Sequence, residues 1–341
     1  MNRSMAPMAD GRRGAAARSA ARRRSALRGA MLLGVALLGA ACTSSADSVT
    51  LPDAASSTTA SSLAATTVPA SPTTSVPPGL DSAAGVAAEL SAVEAGIRDP
   101  GATPEVLDAL GRRQQLAYRA VNRNPEWDDE ILSLVDPVAL VPLQFHLDAR
   151  RAWEEHSAGR EPSEPPSVLP AWTIVAPLPA AELLGYYREA EAATGVPWEY
   201  LAAIHFQETR MGRIRGVSSA GAVGPMQFLP TTWAECCDGD PLVARDAILG
   251  AATYLVMRGG PADMQAALYG YNPNSGYVGA VTAYAQNLMA DERAYFGYHG
   301  WQVLFGTTAG TVRLPVGYAS DVEIDVEEYV AAHPDDLLER R

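Results

Sequence analysis

A carboxylate at the end of an apolar helix limits what this chain can fold into more than any other feature. Residues 195–233 read GVPWEYLAAIHFQETRMGRIRGVSSAGAVGPMQFLPTTW. Pro197 stands where a helix can begin, because the N–H that proline lacks would be unpaired there. Leu201, Ile204 and Glu208 follow at helical spacing, so Glu208 shares the face that carries the core contacts. An ionised carboxylate is costly to bury, so such a Glu is paired, solvated in a cleft, or held protonated with a raised pKa. The last is the state a general acid needs near neutral pH. On spacing alone, a solvated Glu at a fraying helix end fits equally well.

The following loop, VSSAGAVGPMQFLP from Val217, is rich in Gly and Ser and ends at Pro230, where another helix starts with Thr231, Thr232 and Trp233. Glycine allows backbone to come close to a ligand. Ser218 and Gln227 add hydrogen-bonding groups to this loop. Downstream, ALYGYNPNSGYVGAVTAYAQNL predicts a helix over 264–269, a turn at Tyr271-Asn272-Pro273 and a second helix from Tyr277. Tyr271 and Asn272 offer an aromatic face with polar handles, a suitable wall for a sugar ring. Singly, each reads as a core Tyr and a turn Asn, and it is their order after Glu208 that carries weight.

That order (Glu208, the Ser218 loop with Gly221-Ala222 and Gly224-Pro225-Met226-Gln227, then Tyr271-Asn272) resembles the SLT domain of lytic murein transglycosylases, related in fold to goose-type lysozyme. The resemblance covers about residues 180–290. It implies that Glu208 is the single catalytic acid and base. It further implies that Ser218 and Gln227 contact N-acetylmuramic acid near the reacting bond, that Met226 lines the cleft, and that Tyr271 and Asn272 are the family's Tyr-Asn pair. The chain departs from the pattern in three places: Thr209 stands where Ser commonly follows the acid, Gly-Pro-Met-Gln replaces Gly-Leu-Met-Gln, and Asn272-Pro273 replaces Asn-Ala-Gly. These departures bear on subfamily more than on chemistry.

The implied reaction cleaves the β-1,4 bond between N-acetylmuramic acid and N-acetylglucosamine in peptidoglycan. One Glu protonates the leaving oxygen while the substrate's N-acetyl group stabilises the anomeric carbon. The same Glu then takes the proton of the muramic C6 hydroxyl, which closes on C1 to give a 1,6-anhydro end without water. Most glycoside hydrolases use two carboxylates instead. Glu199 and Glu235 flank the motif without matching it and read as solvated charges, although either one positioning a water would make the chain a hydrolytic muramidase. A non-catalytic wall-binding lipoprotein is the third reading, and Glu208 argues against it. No cofactor is implied. Asp238, Gly239 and Asp240 stop short of a calcium loop, and the expectation is that no metal is bound.

At 341 residues the chain can hold more than one domain. Its charge is uneven: the first 41 residues carry a formal +7 and the remainder −20. So acidic a body argues against nucleic acid and suggests that glycan is held by shape and hydrogen bonds. Residues 1–41 join an Arg-rich stretch to an apolar run of about a dozen residues, too short to span a bilayer, and read as a secretory signal. Gly39-Ala40-Ala41-Cys42 resembles a lipoprotein box, which makes Cys42 the lipidated residue and the membrane a partner through a lipid anchor. Cleavage with release and an uncleaved anchor are the alternatives. Residues 42–80, rich in Ser, Thr, Ala and Pro, read as a disordered tether.

The fold expected is mainly α. A small helical domain over 81–165, with helices at 86–97, 104–121 and 138–156, precedes a lysozyme-like catalytic domain over 166–300 with a helix at 180–194. A short β-hairpin over 301–305 and 311–314 comes next, and then an acidic, partly helical tail to 341. Cys236 and Cys237 are adjacent, and three states are open to them: a vicinal disulfide, free thiols, or pairing with another chain.

Overall fold

The computed structural model describes residues 79–340 and is mainly helical. The expected signal, Cys42 and nearly all of the expected tether lie outside the described residues.

Four helices come first: α1 (Ala83–Arg98), α2 (Pro104–Arg123), α3 (Asp128–Leu134) and α4 (Pro137–Ser157). Their starts are written locally. Ser82 accepts the Gly85 N–H before α1, and Thr103 accepts the Val106 N–H before α2, where Pro104 takes the first helical position. The seven-residue α3 has only Ile131 buried, too little periodicity for the sequence to announce it.

Paired polar groups join these helices to the C-terminal part of the chain. Glu94, fully buried on α1, accepts from Tyr118 Oη at 2.7 Å and Gln114 Nε2 at 2.9 Å and pairs with Arg98. Gln114 Oε1 in turn accepts from Trp301 Nε1 at 2.8 Å, and the Gln115 amide exchanges two hydrogen bonds with the Gln302 backbone, at 2.9 and 2.8 Å. One hydrophobic cluster runs from Ala83 to Trp301. A side chain at Gly111 would overlap the Gly297 carbonyl oxygen and stand 2.8 Å from Gly300 Cα. Gly111→Ala is therefore expected to destabilise by about 1–3 kcal/mol through overpacking, even though Ala favours a helix interior over Gly by about 1 kcal/mol. Denaturant unfolding of the variant checks the sign.

Two short strands, β1 (Val168–Leu169) and β2 (Thr173–Ile174), lead into α5 (Ala180–Thr194), which ends at Gly195 in the left-handed conformation, φ 77°. Next come α6 (Trp198–Thr209), β3 (Ile214–Arg215), α7 (Pro230–Cys236), α8 (Ala244–Met257), α9 (Met264–Tyr271), α10 (Ser275–Ala290) and α11 (Ala294–His299). Helix α10 packs along both α4 and α6. The predicted helix over 264–269 runs on through Tyr271, so the turn begins at Asn272.

Beyond α11 the chain forms β4 (Val303–Thr307), β5 (Gly310–Leu314), β6 (Ile324–Asp325), α12 (Val326–Ala332) and β7 (Leu337–Arg340). The predicted hairpin is present, paired from Val303–Leu314 to Thr307–Gly310, but it is not the whole sheet. β7 pairs antiparallel with the other side of β5, giving the order β4-β5-β7. The stretch expected to be an acidic tail thus supplies a strand, which satisfies the open edge of β5. Arg313 and Asp336 form a buried ion pair, and Tyr329 Oη donates to the same carboxylate at 2.9 Å.

A second core cluster includes Leu169, Ile174, Ile214, Val303, Val312, Leu314, Tyr318 and Val326, drawn from segments far apart in sequence. β1 pairs with β6, and β2 pairs with β3. The other edge of β2 is held by residues 317–319: Ile174 N donates to Tyr318 O at 2.8 Å, and Gly317 N to Ile174 O at 2.9 Å.

Candidate active site

Helix α6 carries the site, and it is buried more completely than its sequence suggests. Periodicity predicts one core-facing stripe, yet every residue from Leu201 to Thr209 is buried. Ala202, Ala203, His205, Phe206 and Gln207, which lie off that stripe, are buried as well. A helix buried on all sides belongs inside a core, and α6 supplies Trp198, Leu201, Ala202, Ala203, Ile204 and Phe206 to the main cluster.

Glu208 is 5% exposed. Burial pushes its carboxyl up to about 8, and only the neighbouring Tyr277 opposes the shift. Tyr277 lies in the first turn of α10, is fully buried, and its hydroxyl has no well-aligned hydrogen-bond partner among the described residues. The Tyr277 and Tyr271 hydroxyls both have pKa values pushed well up, by burial first and then by the charge of Glu208. Two tyrosines therefore flank the acid. The sequence predicts a helix from Tyr277, but α10 begins two residues earlier, at Ser275; the signal available for Tyr277 is a Tyr in the first turn after Asn-Pro-Asn.

The other titratable group deep in α6 does not compete for the acid's role. His205 Nδ1 lies 2.7 Å from Tyr187 Oη, and burial lowers the imidazole to about 3, so it is neutral near pH 7. Glu199 stands nine residues before Glu208 on the same helix, about 13 Å away at 1.5 Å rise per residue. Nine residues also turn the helix through about 900°, so the two side chains leave opposite faces and do not converge on one bond as the pair of an inverting glycosidase does at roughly 6.5–9.5 Å. Glu235 is exposed on α7.

After Thr209 the chain leaves α6 through three left-handed residues, Arg210 (φ 53°), Met211 (58°) and Gly212 (79°). Two of these are not glycine, a strain that the surroundings must hold. Arg210 is held by its guanidinium, which donates to Phe206 O at 2.7 Å and lies 4.5 Å over the Phe206 ring.

The 224–227 turn is closed by two backbone hydrogen bonds between Val223 and Phe228, at 2.8 and 3.0 Å. Gly224 (φ 76°) and Gln227 (φ 51°) are both left-handed. Gln227 Nε2 donates to Gly224 O at 2.9 Å, and Oε1 accepts no hydrogen bond among the described residues. Met226, implied by the resemblance to line the cleft, is fully buried in the main core. Tyr271 is also fully buried, and its Oη donates to Met226 O at 2.6 Å. Asn272 is buried, and its Oδ1 has no hydrogen-bond partner among the described residues. Ser218 Oγ accepts the Ala222 N–H at 2.9 Å and closes the 218–222 loop, leaving the hydroxyl proton free to donate.

Of the residues expected at the site, the structure brings together Glu208, Tyr271 and the 224–227 turn. It places Ser218 on the loop leading into that turn and Asn272 directly after Tyr271. Cys236 and Cys237 form a vicinal disulfide, so of the three open states it is the paired one within the chain that is found. Asp240 and Asp246 cap the loop beyond it, with Asp240 Oδ1 accepting from Leu242 N and Asp246 Oδ2 from Asp240 N.

Compared with known proteins, the chain is 36% identical over 76 residues to the membrane-bound lytic murein transglycosylase F of Thiobacillus denitrificans. The match covers 22% of this chain and 16% of that protein, so the chain spans well under two thirds of its relative's length. No family model matches the chain, and no solved structure matches it. Part of this chain is thus similar to a lytic murein transglycosylase.

Proposed function

We propose that the chain is a peptidoglycan lytic transglycosylase with a lysozyme-like catalytic region of the goose-type/SLT kind. The observation that carries this reading is Glu208: a buried carboxyl held protonated near neutral pH, with no second carboxylate of its helix at a two-carboxylate distance. The partial similarity to a lytic murein transglycosylase supports the same substrate.

In this mechanism Glu208 protonates the glycosidic oxygen as the bond to N-acetylmuramic acid breaks, and the substrate's N-acetyl group supports the anomeric carbon. Glu208, now ionised, takes the proton of the C6 hydroxyl, whose oxygen bonds to C1. The acid is regenerated and the product carries a 1,6-anhydro end. Gln227 Oε1 and the Ser218 hydroxyl are the substrate's hydrogen-bond partners, and Tyr277 accompanies the charge change at Glu208. The glycan strand is the partner, and Cys42 anchors the protein to the outer face of the membrane.

Mass spectrometry of fragments released from purified peptidoglycan tests the reading. Anhydromuropeptides are the expected product; reducing ends instead would make the chain a hydrolase, and no release would overturn both enzymatic readings. The pH profile adds a second expectation. The competent form is the protonated one, so kcat/KM should hold below about pH 8 and fall as pH rises through it. A profile falling near pH 4.5 would mean that Glu208 is solvated.

A further inference from the structure

Two successive carbonyls of the 224–227 turn are held by hydroxyl groups from different helices. Tyr271 of α9 donates to Met226 O. Thr209, the last residue of α6 and fully buried, donates from Oγ1 to Pro225 O at 2.6 Å. The same oxygen accepts the Gly212 N–H at 3.0 Å. An amide N–H can only donate, so the hydroxyl proton of Thr209 is directed to Pro225. Proline has no N–H of its own, and its carbonyl is the one backbone polar group by which residue 225 can be held. A single side chain thus ties three things together: the helix end beside Glu208, the strained exit over 210–212, and the turn that carries Gln227.

We propose that Thr209 is a positioning residue, whose hydroxyl sets the placement of Gln227 relative to Glu208 by fastening the turn to the acid-bearing helix. Its effect on rate rests on the transglycosylase reading; the fastening itself does not. Small displacements of this kind are expensive in rate, about a hundredfold for 1 Å.

The test compares the full chain with Thr209→Val, which keeps the shape and loses the hydroxyl, and Thr209→Ser, which keeps the hydroxyl. Amide hydrogen exchange is followed over peptides spanning 209–228, and kcat and KM are measured on peptidoglycan. Thr209→Val should exchange at least about tenfold faster at Gly212, Gln227 and Phe228 and lose kcat by roughly ten- to a hundredfold, with KM changed less than about threefold. Thr209→Ser should restore both. Wild-type exchange in the Val variant, faster exchange with unchanged kcat, or a Ser variant as impaired as Val would each overturn the proposal. Should the Val variant not fold, Thr209→Ala gives the same readouts, with faster exchange and lower kcat supporting the proposal and wild-type values overturning it. If the wild type itself releases nothing from peptidoglycan, the transglycosylase reading fails while the exchange data still decide whether Thr209 holds the turn.

Discussion

Glu208→Gln is expected to abolish cleavage and, at the same time, to stabilise the fold at neutral pH. Removing a general acid and base costs roughly a hundred- to ten-thousandfold in rate, enough to take fragment release below detection. The stability change follows from the raised pKa. Between the ordinary carboxyl value of 4.5 and about 8, the unfolded chain has released the Glu208 proton and the folded chain has kept it. The folded state binds more protons there, so stability falls as pH rises, by about 1.4 kcal/mol per pH unit. At pH 7 this amounts to a penalty on the order of 3 kcal/mol, which a neutral Gln does not carry. The variant should therefore exceed the wild type by about 2–3 kcal/mol at pH 7, and the advantage should vanish below about pH 4.5. Urea unfolding of both proteins at the two pH values checks this, and an equal difference at both would show that the carboxyl is not held protonated.

Gly224→Ala and Gly221→Ala should differ sharply, although both glycines lie in the same loop and both are left-handed, at φ 76° and 83°. At Gly221 nothing among the described residues stands within 4 Å of an added Cβ, so the substitution bears only the left-handed conformational cost of about 1–2 kcal/mol. At Gly224 the added atom would overlap the Pro241 carbonyl oxygen and stand 2.9 Å from its carbon, and backbone cannot swing aside as a side chain does. Overpacking adds to the conformational cost, for about 3–5 kcal/mol in all. The turn carrying Gln227 should also shift away from Glu208, so activity should be lost in Gly224→Ala and largely kept in Gly221→Ala. Unfolding midpoints and peptidoglycan cleavage measured side by side decide it; similar behaviour of the two variants would mean that the 238–243 loop does not brace the turn.

The parts of this structure that are legible in the sequence are those with local causes. Helix α5 has the bounds its sequence predicts because Pro179 precedes it and Gly195 closes it. Helices α1, α2 and α4 show their periodicity directly, and the β4–β5 hairpin its alternation. The grouping of Glu208 with the 224–227 turn and Tyr271 can be anticipated from motif order. Elements that depend on distant partners cannot be read in this way. β1, β2, β3 and β6 are two residues each and exist only through pairing, as with Val168 and Asp325. β7 is a strand because β5 offers it an edge. The all-round burial of α6 depends on how neighbouring helices enclose it, so the extent to which the Glu208 carboxyl is desolvated is not written in the helix itself. Tyr277 escapes the sequence for the same reason: its nearness to Glu208 arises from the packing of α10 on α6.

The pairing of β2 has a further consequence, in time. Strand β3, six residues beyond Glu208, pairs with β2, whose opposite edge is held by residues 317–319. Those residues are synthesised roughly a hundred positions after Glu208, and contacts so far apart in sequence form late. A growing chain can thus expose all of α6 while the strand at its exit still lacks half of its frame. Chain order acts as a timer here: the acid is made first, and the brace for its surroundings follows only about a hundred residues later.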